Sequence, residues 1–195
     1  VRISLVARYA LITFAVVAVI PLTNSASAAQ RSHSAGKSSD SIRLAECRTF
    51  VQRFYTWYRG AVERAGFESA VRKKPHLFNS ALLQALQDDL TAAKKSPGEI
   101  VGLDFDPFTN SQDLPESFVV GDVRRKGDIY LADVSGQWTK GGARDPHPWL
   151  VAELKQHSGR WMFTNFRYPP DKHQQKSDDL LSILARLKAE RKKKP

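Results

Sequence analysis

Between residues 41 and 65 apolar positions recur every three or four residues. Projected at about 100° per residue, Leu44, Cys47, Phe50, Val51, Phe54, Tyr55, Trp57, Tyr58, Ala61 and Val62 share one broad arc. Arg48, Gln52, Thr56, Arg59 and Glu63 take the other side. The pattern predicts an amphipathic helix, capped by Asp40 or Ser41 and closed by Gly66 just past its end. An arc this wide and aromatic calls for a sheet beneath it. A narrower stripe of Leu82, Leu83, Leu86, Leu90 and Ala93 predicts a second helix over 79–93, with Asn79 or Ser80 as its cap and "SPGE" as its stop.

From Ile100 the period shortens to two. The segments 100–105, 117–125, 128–136, 149–156 and 160–168 are rich in β-branched and aromatic residues and are separated by turn signals. Lys126-Gly127 and His157-Ser158-Gly159 predict tight hairpins. A last helix is expected from Ser177, with Asp178 and Asp179 in its first turn and a stripe of Leu180, Leu181, Ile183, Leu184 and Leu187. Two helices, a run of antiparallel strands and a closing helix define an α+β fold with helices on one face of the sheet.

Ahead of this body, Arg2 and Arg8 precede an apolar run from Tyr9 to Leu22, followed by small residues with Ala26 and Ala28 in A-x-A spacing. The run is about 14 residues, short of the roughly 20 that span a bilayer. It reads as a signal peptide over 1–28, with export to the periplasm or exterior after cleavage near Ala28. Residues 29–40 are small and polar and read as a flexible tether, 41–188 as one domain, and 189–195 as a basic tail. Cys47, the single cysteine, lies on the apolar arc and reads as a buried thiol, so the domain holds together without a disulfide. The net charge of +10 is unevenly placed. Arg2 and Arg8 belong to the leader, and "RLKAERKKKP" concentrates cations at the end, so the body is only mildly basic. That distribution does not suit nucleic acid. The tail suits weak contact with anionic surfaces, or simply complements a helix C-terminus.

Five segments in order, "FYTWYRG", "GLDFDPFTNSQD", "VGDV…GDIYLADVSGQW", "DPHPWLVAEL" and "GRWMFTNFRYP", resemble a family of exported bacterial domains catalogued as domain of unknown function 3828. That family is similar to the nuclear-transport-factor-2-like superfamily. The resemblance covers about Ser41 to Leu187 and implies a strongly curved antiparallel sheet, a cone, backed by the N-terminal helices. It also implies export, and a homodimer through the sheet is compatible with it. It brings no catalytic residue, because the superfamily holds isomerases, dehydratases and non-catalytic binding modules on one fold.

Three places carry candidate chemistry. The loop "LDFDPFTNSQD" offers Asp104, Asp106, Asn110 and Asp113. As an EF-hand starting at Asp104 it fails, with Phe108, Thr109 and Pro115 where oxygen, glycine and glutamate belong. Strand parity turns both Asp104 and Asp106 away from the core, and the residue types are those of a hydrogen-bonded turn, with a ligand rim or an irregular calcium site as alternatives. In "RDPHPWL", His147 is held between two prolines and suits a positioned base with Asp145 as its partner, while Trp149 packs on the fold. Asp133 lies mid-strand. With Ile129 and Leu131 inward, it would enter the cone cavity and gain a raised pKa; with Tyr130, Ala132 and Val134 inward, it is solvated. No nucleophile motif, phosphate loop or metal-ligand spacing occurs, and no cofactor is implied. The expectation is a non-catalytic envelope module binding a protein partner or a small apolar ligand. The alternative is a cofactor-independent isomerase or dehydratase using Asp133 or Asp104 with His147.

Overall fold

A computed structural model describes residues 26–96, 101–111, 113–139, 142–143, 145–170 and 177–193. The apolar run Tyr9–Leu22 lies outside them. The chain divides into two compact units, Val1–Lys37 and Ser38–Pro195. In the first, residues 26–37 are helical, the beginning of α1 (Ala26–Ala65). Residues 29–40, expected as a tether, lie within this helix. No described helix is long and apolar enough to cross a membrane.

The second unit is α+β. After α1 come α2 (Glu68–Lys73), a 3₁₀ turn at Pro75–Leu77, α3 (Ser80–Lys95), β1 (Ser117–Lys126), β2 (Ile129–Gln137), β3 (Leu150–His157), β4 (Arg160–Tyr168), β5 (Asp178–Asp179) and α4 (Leu180–Arg191). The strands form one antiparallel sheet in sequence order. It is an open meander, neither closed nor strongly curled into a cone. Register shifts between Val120 and Val123 in β1, and opposite Glu153 and Leu154 in β3, bend it locally. Gly127 (φ 64°) and the Ser158-Gly159 pair (φ 49° and 76°) supply the left-handed backbone that the two hairpins need.

The predicted arc of α1 is the centre of the core. Phe54 stacks on Tyr58 and meets Phe163, Phe108 and Phe78 edge-on, with centroids 4.9 to 6.2 Å away. Phe118, Val120, Tyr130, Ala132, Val134, Leu150, Ala152, Leu154, Phe163 and Phe166 supply the sheet side. Cys47 is wholly buried here, and burial pushes its thiol pKa up to about 12.

Sequence and structure part company at four places. Residues 101–105 form no strand, because the Asp89 carboxylate accepts the Leu103 N–H at 3.0 Å and takes the donor a ladder would use. A Cβ on Gly102 would sit 2.9 Å from that carboxylate, so a side chain there would displace it. The last helix starts at Leu180 rather than Ser177. Asp178 and Asp179 are extended and pair with Tyr168 and Arg167, and the Asp179 carboxylate caps α4 by accepting from the Ser182 N–H. Asp89 was missed altogether: it is 1% exposed and pairs at 2.7 Å with Arg191 at the end of α4. Lys188 pairs likewise with Asp88, so the cations of this final helix dock on α3.

The fourth difference concerns the polar flank of α1. Gln52 and Arg48 do not simply face water. β1 is an edge strand, and the Gln52 side-chain amide donates to the Phe118 carbonyl (2.9 Å) and accepts from the Val120 N–H (3.0 Å). Arg48 donates to the Val120 carbonyl at 2.8 Å, and Arg59 to that of Pro115. These side chains take the place of a missing neighbouring strand and close the edge to foreign pairing. Replacing Gln52 with Ala leaves a donor and an acceptor without partners. It is expected to lower unfolding free energy by about 1–3 kcal/mol in urea titration. Thr56→Ala, one turn on and exposed, is expected to change it by less than about 0.5 kcal/mol.

Candidate functional site

The aspartate-rich loop is a turn tied into the core. Phe108 is fully buried, and it draws the backbone of Pro107 with it. Three tyrosine hydroxyls meet the polar groups that follow: Tyr55 donates to the Phe108 carbonyl (2.7 Å), Tyr168 to the Pro107 carbonyl (2.9 Å) and Tyr58 to the Asp106 carboxylate (2.6 Å). The other Asp106 oxygen accepts the Phe108 N–H at 2.9 Å, and its carbonyl accepts from the Thr109 and Asn110 amides. Asp106 thus points inward, not outward as strand parity implied, because the segment before it is not a strand. Burial raises its pKa above the usual carboxylate value, while the bonds from Tyr58, Phe108 and Thr109 oppose the shift. Burial likewise raises the pKa of all three tyrosines.

The remaining loop residues separate. Asp104 and Asp113 are exposed, while Asn110, in the left-handed region at φ 51°, reaches across to donate to the Trp149 carbonyl at 3.1 Å. Among the described residues no three carboxylate, histidine or cysteine side chains gather as a metal site. Asp133 takes the second of its two parities. Tyr130, Ala132 and Val134 join the core, and Asp133 lies on the opposite sheet face, its side chain 21% exposed and paired with Arg124 at 2.6 Å. Glu153 and Arg167 form a second ion pair on that face.

One concave feature does collect candidate residues. An open trough of about 940 Å³ runs between Asn110 and Ser111 of the loop, the segment 145–149, and Pro169 and Pro170 after β4. His147 and Trp149 line it, and so does Asp145. The expected Asp145–His147 pairing is not made. Asp145 instead accepts from the Trp149 indole Nε1 at 2.5 Å, and the His147 ring is exposed. Trp149 is half-buried and held at several points. Its N–H donates to the Val134 carbonyl at 2.8 Å, its carbonyl accepts from Asn110, and its ring lies against Gly136, where a Cβ would come within 2.3 Å. Trp138 packs beside it at 5.5 Å between centroids and stays 49% exposed. Trp138 escaped the sequence reading, although "GQW" two residues past Val134 put an aromatic at the strand's open end. Asp106, Asp104 and Asp133 do not line this trough.

No family model, no curated protein and no solved structure matches the chain. The functional reading therefore rests on the geometry of the described residues alone.

Two outcomes follow from this geometry. In the fold, Asp106 holds its proton to a higher pH than it does unfolded. Its contribution to stability is therefore largest below the ordinary carboxylate pKa of about 4 and falls as pH rises through the interval up to its raised value. Replacing Asp106 with Asn removes that fall. The stability of the variant relative to wild type, read from thermal or urea unfolding, is expected to rise as pH climbs above the ordinary carboxylate pKa of about 4; a constant difference would contradict the buried carboxylate. Gly136→Ala must move the Trp149 ring and is expected to shift its near-ultraviolet dichroism and to destabilise by about 1–3 kcal/mol.

Proposed function

We propose that the chain is an exported module of the bacterial envelope that binds a partner and performs no chemistry. The observation that carries this reading is the dispersal of its acids and bases around a filled interior. Asp133 is on the far face of the sheet, Asp106 is tied to Tyr58, and Asp104 is exposed away from His147. Where a cone enzyme would keep an apolar cavity, this core is occupied by Phe54, Phe78, Phe108, Phe163 and Phe166. The trough offers instead a held aromatic wall with polar groups at its rim, the arrangement of a recognition surface.

Kinship with the nuclear-transport-factor-2-like superfamily belongs to the same proposal, with the cone of that superfamily opened here into a flatter sheet. It is supported by the order of helices and strands and by the bulges that bend β1 and β4. Export rests on the leader pattern of residues 1–28. A homodimer through the sheet would use the face opposite the core, which carries the Arg124–Asp133 and Glu153–Arg167 ion pairs.

The isomerase or dehydratase reading asks for a carboxylate and His147 acting on one substrate in a dry pocket. Among the described carboxylates only Asp145 shares the trough with His147. One of its oxygens is committed to Trp149, and the trough is open to water.

Affinity capture from an envelope extract tests the proposal. Wild type and Asp133→Asn are expected to retain the same defined species, and Trp138→Ala to lose it. Equal retention by Trp138→Ala, or chemical conversion of the captured species, would overturn the binding-module reading.

A further inference from the structure

We infer that the trough beside Trp149 is a saccharide-binding site. This rests on the binding-module reading and goes further by naming the chemistry of the ligand. The polar groups at its rim are mixed in kind. Among the described residues no bond uses the second Asp145 carboxylate oxygen, the Asn110 amide oxygen or the Ser111 hydroxyl proton, and His147 offers an exposed imidazole. Between them stand the flat surfaces of Trp149 and of Pro146, Pro148, Pro169 and Pro170, with Trp138 packed on Trp149.

Other ligand classes fit less well. A peptide adding a strand needs free backbone groups at the sheet end of the trough, but the Val134 and Gly136 carbonyls already accept from Trp149 and Asp145. The proline wall has no N–H to offer. Among the described lining residues an anion finds no lysine or arginine, and a cation finds one carboxylate already shared with an indole. A purely apolar ligand would leave Asp145, Asn110 and Ser111 unpaired in contact with it. A sugar ring satisfies both halves. Its C–H face lies on the indole, and its hydroxyls, each donor and acceptor, meet the mixed rim. The wall is held in place before binding by its bonds to Val134, Asn110 and Asp145, so little ordering is required when a ligand arrives.

Titration of the folded chain with chitotetraose, cellotetraose and a muramidase digest of peptidoglycan, followed by tryptophan emission, tests the inference. At least one of the three is expected to give a saturable change. His147→Ala, at an exposed residue that lines the trough, is expected to weaken binding roughly tenfold with the fold intact. Asp133→Asn on the far sheet face is expected to bind as wild type does. Silence with all three probes overturns the saccharide assignment. If Trp138-dependent capture of a protein persists alongside that silence, the binding-module reading stands and only the ligand class falls. A saturable change that His147→Ala leaves unaltered also overturns the assignment.

Discussion

Burial of Phe108 imposes the strictest requirement in this molecule. Its ring sits among Phe54, Phe78 and Phe166, and it cannot get there without taking a proline carbonyl, its own carbonyl and the Asp106 carboxylate into an apolar interior. Each such group left without a partner costs about 1–3 kcal/mol, and a charged one costs more. Tyr55, Tyr58 and Tyr168 answer the three needs one for one. Two of them come from one helix, three residues apart, and the third from the far end of β4, so the loop ties α1 to the sheet. The aromatic richness of α1 thus serves two ends: rings fill the core, and their hydroxyl tips meet backbone that would otherwise be unsatisfied.

The trough is a consequence of that anchoring. With residues 106–108 fixed, the chain turns at Asn110, whose amide holds the Trp149 carbonyl. Trp149 in turn lies over Gly136 and is steadied by Asp145. A surface recognition feature is therefore connected to the core through a short run of hydrogen bonds, on backbone that has no regular secondary structure of its own. The opposite flank of α1 does a different task, with Gln52 and Arg48 standing in for a strand at the edge of β1.

What the sequence could disclose depended on whether a residue's role was local. The arc of α1, the Asn79 cap, Gly66 beyond the helix and both hairpins follow from periodicity and turn chemistry, and they stand in the structure as read. The α+β class followed from their order. The segment 100–105 looked like a strand because alternation of Val101, Leu103 and Phe105 is the strand signal; its backbone is claimed by Asp89, more than ten residues upstream. Gln52 and Arg48 looked solvated because a helical projection shows polarity and not the strand edge lying alongside. Asp133 was undecidable, since Ile129 and Leu131 balance Tyr130 and Val134 in apolar weight, and only the packing of α1 chooses between them. His147 and Trp149 were visible as candidates, but the Asp145 carboxylate orients the indole rather than the imidazole.

Native-state hydrogen exchange at the amides of Phe108 and Asn110 tests most directly whether this loop is part of the core. Both donate to Asp106, by its carboxylate and its carbonyl respectively. If the tyrosine ties hold the loop as described, both amides exchange only through global unfolding, as slowly as Leu154 at the centre of the sheet. Exchange as fast as at the exposed Ser158 turn would show a loop that opens independently, and the anchoring of the trough by buried tyrosines would be wrong.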